Sequence, residues 1–554
     1  MAALKNPLCF FAVIVSLAFG VLLLPITFAI GPMYWDLFLY FDGAERILNG
    51  QIPSVDFSTP VGPLSYYLSA LAVNLFPNAN PFLLIEWSFL IITAPIMVII
   101  VIEVTRTSSL KAYALLVPFL FYSLAPFNII NLVPHAGIEA WGIYNRHSIQ
   151  LLYLLLSVLI FIPQTSWRIA MIGYLVVVLF ATKITGFLAG GLILFGFFLA
   201  GHISLALFVG ASIIFWLCLA LAEFLLGIVS AYLQDVLALI SQNQGGIIRR
   251  FFSVGASQFD TILAGGLLCI TLLIHHLKND NRAPAYLLGL RQTITRFCNT
   301  EWFLCAVLLF AGLAFETQNS GGQPFAFIWP FLVCMLWRQE FNTTALKTAA
   351  TLTIAFIMIP PVAITIHKSA RAIAATTIYK TLEHDNLKTL GMVSTSPKFY
   401  ARTKSLRPIY IEHQETFQAT AQAGANAAFL IHAQPDFQML NLKEIDKAIT
   451  AIYHLESARG KTFASLWYMD FANPFGWLMQ RRSPRHVPIG VDPTRTIEAL
   501  DGKSREALAN IDITLIPKCP TTKNRLLTEA HYSPAFTNHE RIMLTPCMDA
   551  FIKK

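Results

Sequence analysis

Long apolar runs, separated by short polar segments, fill the first two thirds of the chain. A helix of about 20 apolar residues is needed to cross the hydrocarbon core of a membrane. Measured against that length, the runs predict eleven crossings, some of them short: 9–30, 83–104, 111–131, 148–163, 168–182, 185–201, 203–226, 261–277, 300–316, 323–337 and 347–366. The pattern therefore indicates a polytopic α-helical membrane protein, with residues 1–366 as its transmembrane domain.

The pattern changes after residue 366, where the apolar runs shorten and polar residues fill the spaces between them. It predicts helices over 369–390, 443–457 and 522–533, and strands over Phe463–Met469, Ile511–Ile516 and Arg541–Leu544. An odd number of crossings places this part on the side of the membrane opposite the first residues. Residues 367–554 are therefore predicted to form a soluble extracytoplasmic α/β domain.

The first polar loop, residues 31–82, has helical patterns of its own. Apolar residues recur at helical spacing over 37–48, while Asp42 and Glu45 fall on the other side. This pattern is typical of an amphipathic helix that lies in the membrane interface, with its acidic residues solvated. Two prolines then open a second helix, rich in Tyr and Leu, over 64–76.

Composition supports the membrane assignment and limits the class of partner. Hydrophobic residues make up 56% of the chain and charged residues 13%, with a mean hydropathy of +0.60, whereas a soluble domain is about a quarter charged. The net charge of +8 does not indicate nucleic acid, because much of it lies in short loops on one side, which the positive-inside rule makes cytoplasmic. The cations on that side include Arg106, Lys111, Arg168, Lys278 and Lys347.

The eight cysteines have no metal-binding pattern, because no two are spaced as CxxC, and a zinc or iron–sulfur site is not expected. Cys519 and Cys547 lie in the predicted soluble part and could form a disulfide if that part faces an oxidising compartment. The first apolar segment, 9–30, is longer than a signal-peptide core and is expected to be retained.

Two carboxylates of the first loop are candidates for chemistry. Asp36 follows the first membrane helix, at the depth of lipid headgroups, and could deprotonate an acceptor hydroxyl. Alternatively, it caps the helix that begins at Leu37. Asp56 is brought back toward Asp36 by the helical hairpin, either as a substrate contact or as a turn residue before a proline-rich bend. No cofactor is expected, although the two carboxylates could share a divalent cation.

Two cations are candidates for binding a phosphate. Lys183 lies between two apolar runs, where a lysine at a helix centre would cost roughly 2.5–3.5 kcal/mol. The cost falls if two short helices meet there at the membrane surface, and the amine can then hold a lipid-linked phosphate. The alternative is a lysine that snorkels to the interface. Arg146 could pair with a phosphate or with an acidic residue of the first loop.

Other polar residues lie in the predicted outer loops. A polar segment between two apolar runs could hydrogen-bond sugar hydroxyls, or it could be a plain turn; its candidate substrate contacts are Glu316, Gln318, Asn319 and Gln323. His135 lies in the loop 132–147 and is a further candidate contact, although a solvated connecting loop is the alternative for any of its residues.

Three motifs together resemble a known superfamily. They read Asp36-x3-Tyr40-x3-Ala44-x3-Leu48-x-Gly50, Pro60-x2-Pro63-Leu64-x-Tyr66-Tyr67 and Thr182-Lys183-x2-Gly186. The pattern is an acid after the first membrane helix, an amphipathic helix that ends in glycine, a proline hinge into a Tyr-rich helix, and a lysine–glycine element. It resembles the GT-C membrane glycosyltransferases, especially the lipid A aminoarabinose transferases and protein O-mannosyltransferases, over about residues 1–340.

The resemblance implies a GT-C fold in a multi-pass protein of the bacterial inner membrane. It implies transfer of a sugar, hexose or pentose, from a polyprenyl-phosphate carrier to a hydroxyl of a glycan, lipid or protein at the outer face. Asp36 matches the acid at the reaction centre, with Asp56 as a second candidate, and Lys183 matches the lysine near the lipid phosphate. Attack opposite the phosphate would invert the anomeric carbon. The chain has no nucleotide fingerprint, so a cytosolic nucleotide donor is not expected.

Three other functions stay open at this point. A glycan ligase or polymerase would take a diphosphate-linked donor and would need more outward cationic charge, which Arg249 and Arg250 could supply. A lipid or solute transporter would be expected to show repeated halves, and the sequence shows no internal repeat. A non-catalytic assembly protein would display its C-terminal part to partners.

Overall fold

The structure is a computed structural model that describes residues 6–130, 134–242, 246–279, 290–319, 321–337, 341, 343–425, 434–493, 495–497 and 499–554 of the 554. The predicted outer loop 132–147 and the polar segment that follows Glu316 each include residues outside these ranges.

Helices dominate the chain as far as residue 378. They are Pro7–Leu22 (α1), Asp36–Leu48 (α2), Leu64–Leu75 (α3), Pro81–Ser88 (α4), Leu90–Thr105 (α5), Ser109–Leu124 (α6), Ile143–Phe161 (α7), Ser166–Thr182 (α8), Ile184–Leu199 (α9), Leu205–Leu226 (α10), Ile228–Gln242 (α11), Ile247–Ser257 (α12), Phe259–Asn279 (α13), Leu290–Cys298 (α14), Glu301–Glu316 (α15), Trp329–Trp337 (α16) and Thr344–Ile378 (α17). A two-residue strand, Phe28–Ala29 (β1), lies between α1 and α2.

Four of the described helices are long and apolar enough to cross a membrane: α7, α10, α13 and α17. The pair α4 and α5, bent by 42° at its junction, would give a fifth, and seven shorter apolar helices have 10–17 residues. The described chain is therefore that of a multi-pass membrane protein. A described helix overlaps each of the eleven predicted ranges, but the number of crossings stays a prediction because many of these helices are short.

The rest of the chain combines strands and helices. These are Lys380–Thr381 (β2), Val393–Thr395 (β3), Pro397–Glu412 (α18), Gln414–Gln422 (α19), Pro435–Arg459 (α20), Leu466–Tyr468 (β4), Phe475–Met479 (α21), Gly502–Ala509 (α22), Ile513–Pro517 (β5), Lys523–Tyr532 (α23), His539–Thr545 (β6) and Met548–Lys553 (β7). The larger sheet has the order β4-β5-β7-β6, in which only the β4–β5 pair is parallel. Each predicted strand overlaps an observed one, and a disulfide joins Cys519 to Cys547.

The membrane part and the C-terminal part share a sheet and a hydrophobic core. β1 pairs in parallel with β3, with Phe28 opposite Val393, and Phe41 of α2 packs near Phe475 of α21 in one buried cluster. α17 runs without a break through the predicted domain boundary at 366 and 367. The predicted helix over 369–390 is therefore formed only as far as the end of α17, and the boundary itself stays a prediction.

The first loop forms the two helices that its pattern predicts, but the polar face of α2 is not solvated. Asp42, Glu45 and Arg46 are at most 4% exposed. The C-terminal part covers this face: Arg46 Nη1 donates to the carbonyl of Pro484 at 2.7 Å, and Ser483 Oγ donates to Asp42 Oδ1 at 2.8 Å. The prediction of a solvated acidic face was wrong, because residues more than 400 positions away supply its partners.

Candidate active site

Lys183 lies at the break between α8 and α9. Its backbone is extended, which ends one helix and begins the next. The proline hinge of the first loop packs directly on this break, because Gly62 N donates to the carbonyl of Thr182 at 3.0 Å. A Cβ at Gly62 would collide with the carbonyl of Ala181, so only glycine permits this approach.

The ammonium of Lys183 lies in a buried polar cluster. Nζ donates to Asn145 Oδ1 at 2.6 Å and also to Asn319 Oδ1, and it lies 4.5 Å from the ring centroid of Tyr144. Asn145 in turn donates to the carbonyl of Gly321 at 2.5 Å. Three parts of the chain therefore meet around this amine: the start of α7, the polar segment after α15 and the α8–α9 break. The position of the ammonium over the Tyr144 ring is that of a cation–π interaction.

Glu316 belongs to the same cluster. Its side chain is buried, it interacts electrostatically with Lys183, and its Oε1 has no hydrogen-bond partner among the described residues. The two groups are not within ion-pair distance of each other in the described contacts. A ligand between them could therefore use both the amine and the free carboxyl oxygen.

Asp36 begins α2 and is partly buried. Trp35, not Asp36, is the N-cap residue, so the capping alternative was wrong. In the described part of the chain the Asp36 carboxylate makes no hydrogen bond. Burial raises the pKa of this carboxyl from 3.8 to about 7, and the guanidinium of Arg495 opposes the rise. A carboxylate of this kind is poised to take a proton near neutral pH.

Asp36 and Lys183 both act on Tyr144. Asp36 interacts electrostatically with Tyr144 and Tyr40, and Lys183 lies over the ring of Tyr144. The hydroxyls of Tyr40 and Tyr66 are buried without a hydrogen-bond partner among the described residues, and their rings lie 6.1 Å apart. Tyr144 therefore links the cation, through direct contact, to the acid, through electrostatic interaction.

The guanidinium of Arg146 is taken up by partners within the protein, and its assignment to a phosphate is corrected. The guanidinium is fully buried and pairs with Glu86 at 2.9 Å. Its other N–H groups donate to Asn128 Oδ1 and to the carbonyls of Trp141 and Glu139. All five donors are therefore in use, and Arg146 stabilises the loop before α7.

Gln323 and His135 also lie elsewhere. Gln323 is fully buried, and its Nε2 donates to the carbonyl of Tyr122 at 3.0 Å, which fixes the polar segment to α6. Its Oε1 has no hydrogen-bond partner among the described residues. His135 lies against the C-terminal part, with Nε2 3.3 Å from Gln434 Oε1 and its ring 4.5 Å from that of Phe399.

Asp56 and Gln318 make contacts of their own. The Asp56 carboxylate accepts from the amide of Ile52 at 2.8 Å and lies 3.6 Å from Arg485, which matches the turn-residue alternative. These contacts do not include Asp36. Gln318 is exposed and accepts from Arg250 Nη1 at 3.3 Å. Among the described residues, no group of three or more His, Cys, Asp or Glu side chains is placed to hold a metal ion.

The sequence pattern missed Arg495. Its charge acts on both Asp36 and Tyr144, although it lies in the C-terminal part, far along the chain. An isolated arginine after a polar turn gives no local pattern that would have indicated this.

No family model matches the chain, and no curated protein matches it. Two solved structures of ArnT from Cupriavidus metallidurans are similar to this chain. The apo state is 10% identical with a TM-score of 0.36, and the structure bound to undecaprenyl phosphate is 12% identical with a TM-score of 0.39. Each comparison covers 98% of this chain and 97% of the other.

Proposed function

We propose that this protein is a membrane-embedded glycosyltransferase that moves a sugar from a polyprenyl-phosphate carrier to a hydroxyl of an acceptor. The observation that carries the proposal is that Tyr144 contacts the ammonium of Lys183 and interacts electrostatically with Asp36, in a chain whose helices are apolar enough to hold a lipid. In the proposal the acid and the cation serve the two ends of a sugar phosphate under attack.

The proposed step needs one base and one anion-binding group. Asp36 takes the proton of the acceptor hydroxyl, whose oxygen then attacks the anomeric carbon. The bond from that carbon to the phosphate oxygen breaks, its electron pair stays with the lipid phosphate, and Lys183 stabilises the charge that develops there. The amide of Asn145 orients Lys183. Because the acceptor attacks opposite the phosphate, the anomeric carbon inverts.

The raised pKa of Asp36 suits this role, since a carboxylate with a pKa near the working pH accepts a proton more readily than a solvated one. A phosphate whose charge is neutralised is a good leaving group and needs no general acid. The proposed step uses no metal ion or organic cofactor. The acceptor is a glycan, lipid or protein, and the reaction is placed at the outer face of the bacterial inner membrane, among membrane lipids and without nucleic acid.

The test is turnover in nanodiscs with a synthetic polyprenyl-phosphate sugar. Asp36→Asn is expected to lower kcat about 10²- to 10⁴-fold, the usual effect of removing a general base. Lys183→Ala is expected to lower it about 10²- to 10³-fold, as for other lost transition-state donors. Asp260→Asn and Lys404→Ala change exposed residues of the same types and are expected to keep the parental rate. If both site variants stay within a few-fold of the parent, the assignment is wrong.

A diphosphate-linked donor is the second candidate, and one contact favours it. Arg250 on α12 reaches Gln318, which precedes the Asn319 that accepts from Lys183. A second phosphate could therefore meet a second cation on the same polar segment. The discriminating assay compares lipid monophosphate and diphosphate donors in the parent and in Arg250→Gln. A ligase would favour the diphosphate and lose that preference in the variant, whereas the first proposal expects the monophosphate in both.

A further inference from the structure

The stretch between α10 and α13, both long and apolar enough to cross a membrane, forms the two short helices α11 and α12. α11 has 15 residues and α12 has 11, fewer than the roughly 20 that a crossing requires. α11 is fixed to the candidate site, because Tyr232 Oη accepts from the amide of Ile184 at 3.1 Å. Asp235 Oδ2 also accepts from the amide of Thr59 at 2.9 Å. α11 therefore lies at the level of the α8–α9 break.

The side of α11 that does not face the site is an apolar stripe. Leu233, Leu237 and Ile240 recur at positions i, i+4 and i+7, which places them on one face of the helix, and all three are exposed. Tyr232 and Asp235, in contrast, are buried. α11 thus packs one face on the protein and presents an apolar face outward.

α12 is also exposed on an apolar side. None of its eleven residues is buried. Phe251 is half-buried and faces α15, with its ring 6.3 Å from that of Phe310. Ile248 and Phe252 are one turn apart and are 75% and 70% exposed. Two large apolar side chains are therefore presented away from the protein on one face of a short helix.

Arginines lie beside this apolar face. Arg249 is exposed, lies one turn before Phe252, and has its Nη2 3.3 Å from the position of a Cβ on Gly246. Arg250 is half-buried and donates to Gln318 at 3.3 Å. The sequence of α12 contains no acidic residue. Helices with exposed aliphatic and aromatic side chains on one face and arginines beside it lie in the membrane interface, where basic residues attract anionic lipids.

The neighbouring helices indicate that lipid, and not another protein, covers this face. Phe259 and Leu263 at the start of α13 are exposed, as are Phe224 and Leu225 at the end of α10. Contiguous exposed apolar side chains mark a membrane or protein contact. Since α10 and α13 present theirs to the hydrocarbon when they cross the membrane, the apolar faces of α11 and α12 continue the same contact along the chain.

We propose that α11 and α12 form an interfacial platform, whose apolar face inserts into the leaflet on the side of the candidate site and whose Arg249 binds anionic phospholipid headgroups. The platform accounts for two arginines on the side opposite the predicted cytoplasmic cations. Through Tyr232 and Asp235 it also joins the site to the membrane surface. This inference concerns lipid binding and does not depend on the reaction that the site performs.

The test replaces Phe252 with the photoreactive p-benzoylphenylalanine, in nanodiscs of phosphatidylglycerol and phosphatidylcholine in equal parts. Phe252 is exposed, so the larger side chain is accommodated. Irradiation attaches the probe to whatever covers it, and mass spectrometry of the α12 peptide identifies the adduct. We expect phospholipid, with phosphatidylglycerol enriched about fivefold, which corresponds to about 1 kcal/mol for one basic residue at a membrane surface. Arg249→Gln is expected to keep the lipid adduct and to lose this enrichment.

Three further measurements make the result specific. The same probe in place of Leu237 is expected to attach phospholipid from α11. In place of Tyr453, an exposed aromatic residue of α20, it is expected to attach none. Arg505→Gln changes an exposed arginine of α22, far along the chain from α12, and is expected to leave the enrichment at position 252 unchanged.

The outcomes that overturn the proposal are distinct. If the probes at positions 252 and 237 attach no phospholipid, the platform does not lie in the membrane. If they attach a second copy of the chain, seen as a product of twice the mass, this face is a protein interface. If the adduct follows the composition of the nanodisc, or if Arg249→Gln keeps the enrichment, Arg249 does not select anionic headgroups.

Discussion

Arg46 is the buried charge whose removal tests most directly how the C-terminal part is held on the first loop. Its guanidinium is fully buried, lies 3.2 Å from Asp42 Oδ2 through Nε, and sits 5.0 Å from the ring centroid of Phe57. Arg46→Met keeps the length of the side chain but leaves the Asp42 carboxylate and the carbonyl of Pro484 without their cation. Removing one partner of a buried ion pair costs about 3–5 kcal/mol.

For a cooperative unit of about 150–250 residues, that loss lowers the melting temperature by roughly 6–20 °C. Thermal unfolding in nanodiscs, followed by intrinsic fluorescence, measures it directly. The loss is expected to be smaller at acid pH, because a protonated Asp42 no longer needs a cation.

Two further variants serve as controls for the effect of Arg46→Met. Asp42→Asn combined with Arg46→Met removes both charges and is expected to melt above the single Arg46→Met variant. Arg482→Met changes an exposed arginine two residues before Pro484 and is expected to melt with the parent. A single variant that melts with the parent, or a double variant no more stable than the single one, would refute the account of this pair.

Two other predictions concern the same loop. Burial, together with the neighbouring Asp42, raises the pKa of Glu45 from 4.5 to about 8, so the unfolded chain loses this proton first and stability falls as the pH rises through that interval. Glu45→Gln is therefore expected to melt above the parent at pH 8 and close to it at pH 4.5; a parental pH dependence in the variant would contradict this. Gly62→Ala places a Cβ against the carbonyl of Ala181 and is expected to lower turnover at least tenfold, about 1.4 kcal/mol. Gly50→Ala, where a Cβ meets open space but φ is positive, serves as the strain control.

Local patterns were sufficient to predict the elements that carry the site. The helical spacing over 37–48 predicted α2, the proline hinge predicted α3, and a lysine between two short apolar runs predicted the α8–α9 break. Each of these depends on residues within one or two turns of each other, where periodicity and helix-breaking residues act. The proposed pairing of an acid with Lys183 could be inferred for the same reason, since both lie at ends of apolar helices.

The partners of buried charges could not be predicted in this way. Arg46 pairs with a carbonyl 438 positions away, and Asp42 accepts from a hydroxyl 441 positions away. Nothing in the spacing of α2 distinguishes a charge that faces water from one that a distant segment will cover. The prediction that Arg146 binds a phosphate failed for the opposite reason. This arginine looks available in the sequence, but Glu86 and carbonyls of its own loop enclose it.

Because β1 pairs with β3, the first part of the chain cannot complete its structure until a much later part has been translated. Phe28 and Ala29 are translated early, yet their strand partners Val393 and Ser394 follow more than 360 residues later, and residues 483–493 later still. The first loop must therefore wait, with Asp42, Glu45 and Arg46 uncovered, until almost the whole chain has been translated. A chain stopped before residue 483 would retain its apolar helices but leave the polar face of α2 uncovered, so a truncated membrane half is not expected to fold as the whole chain does.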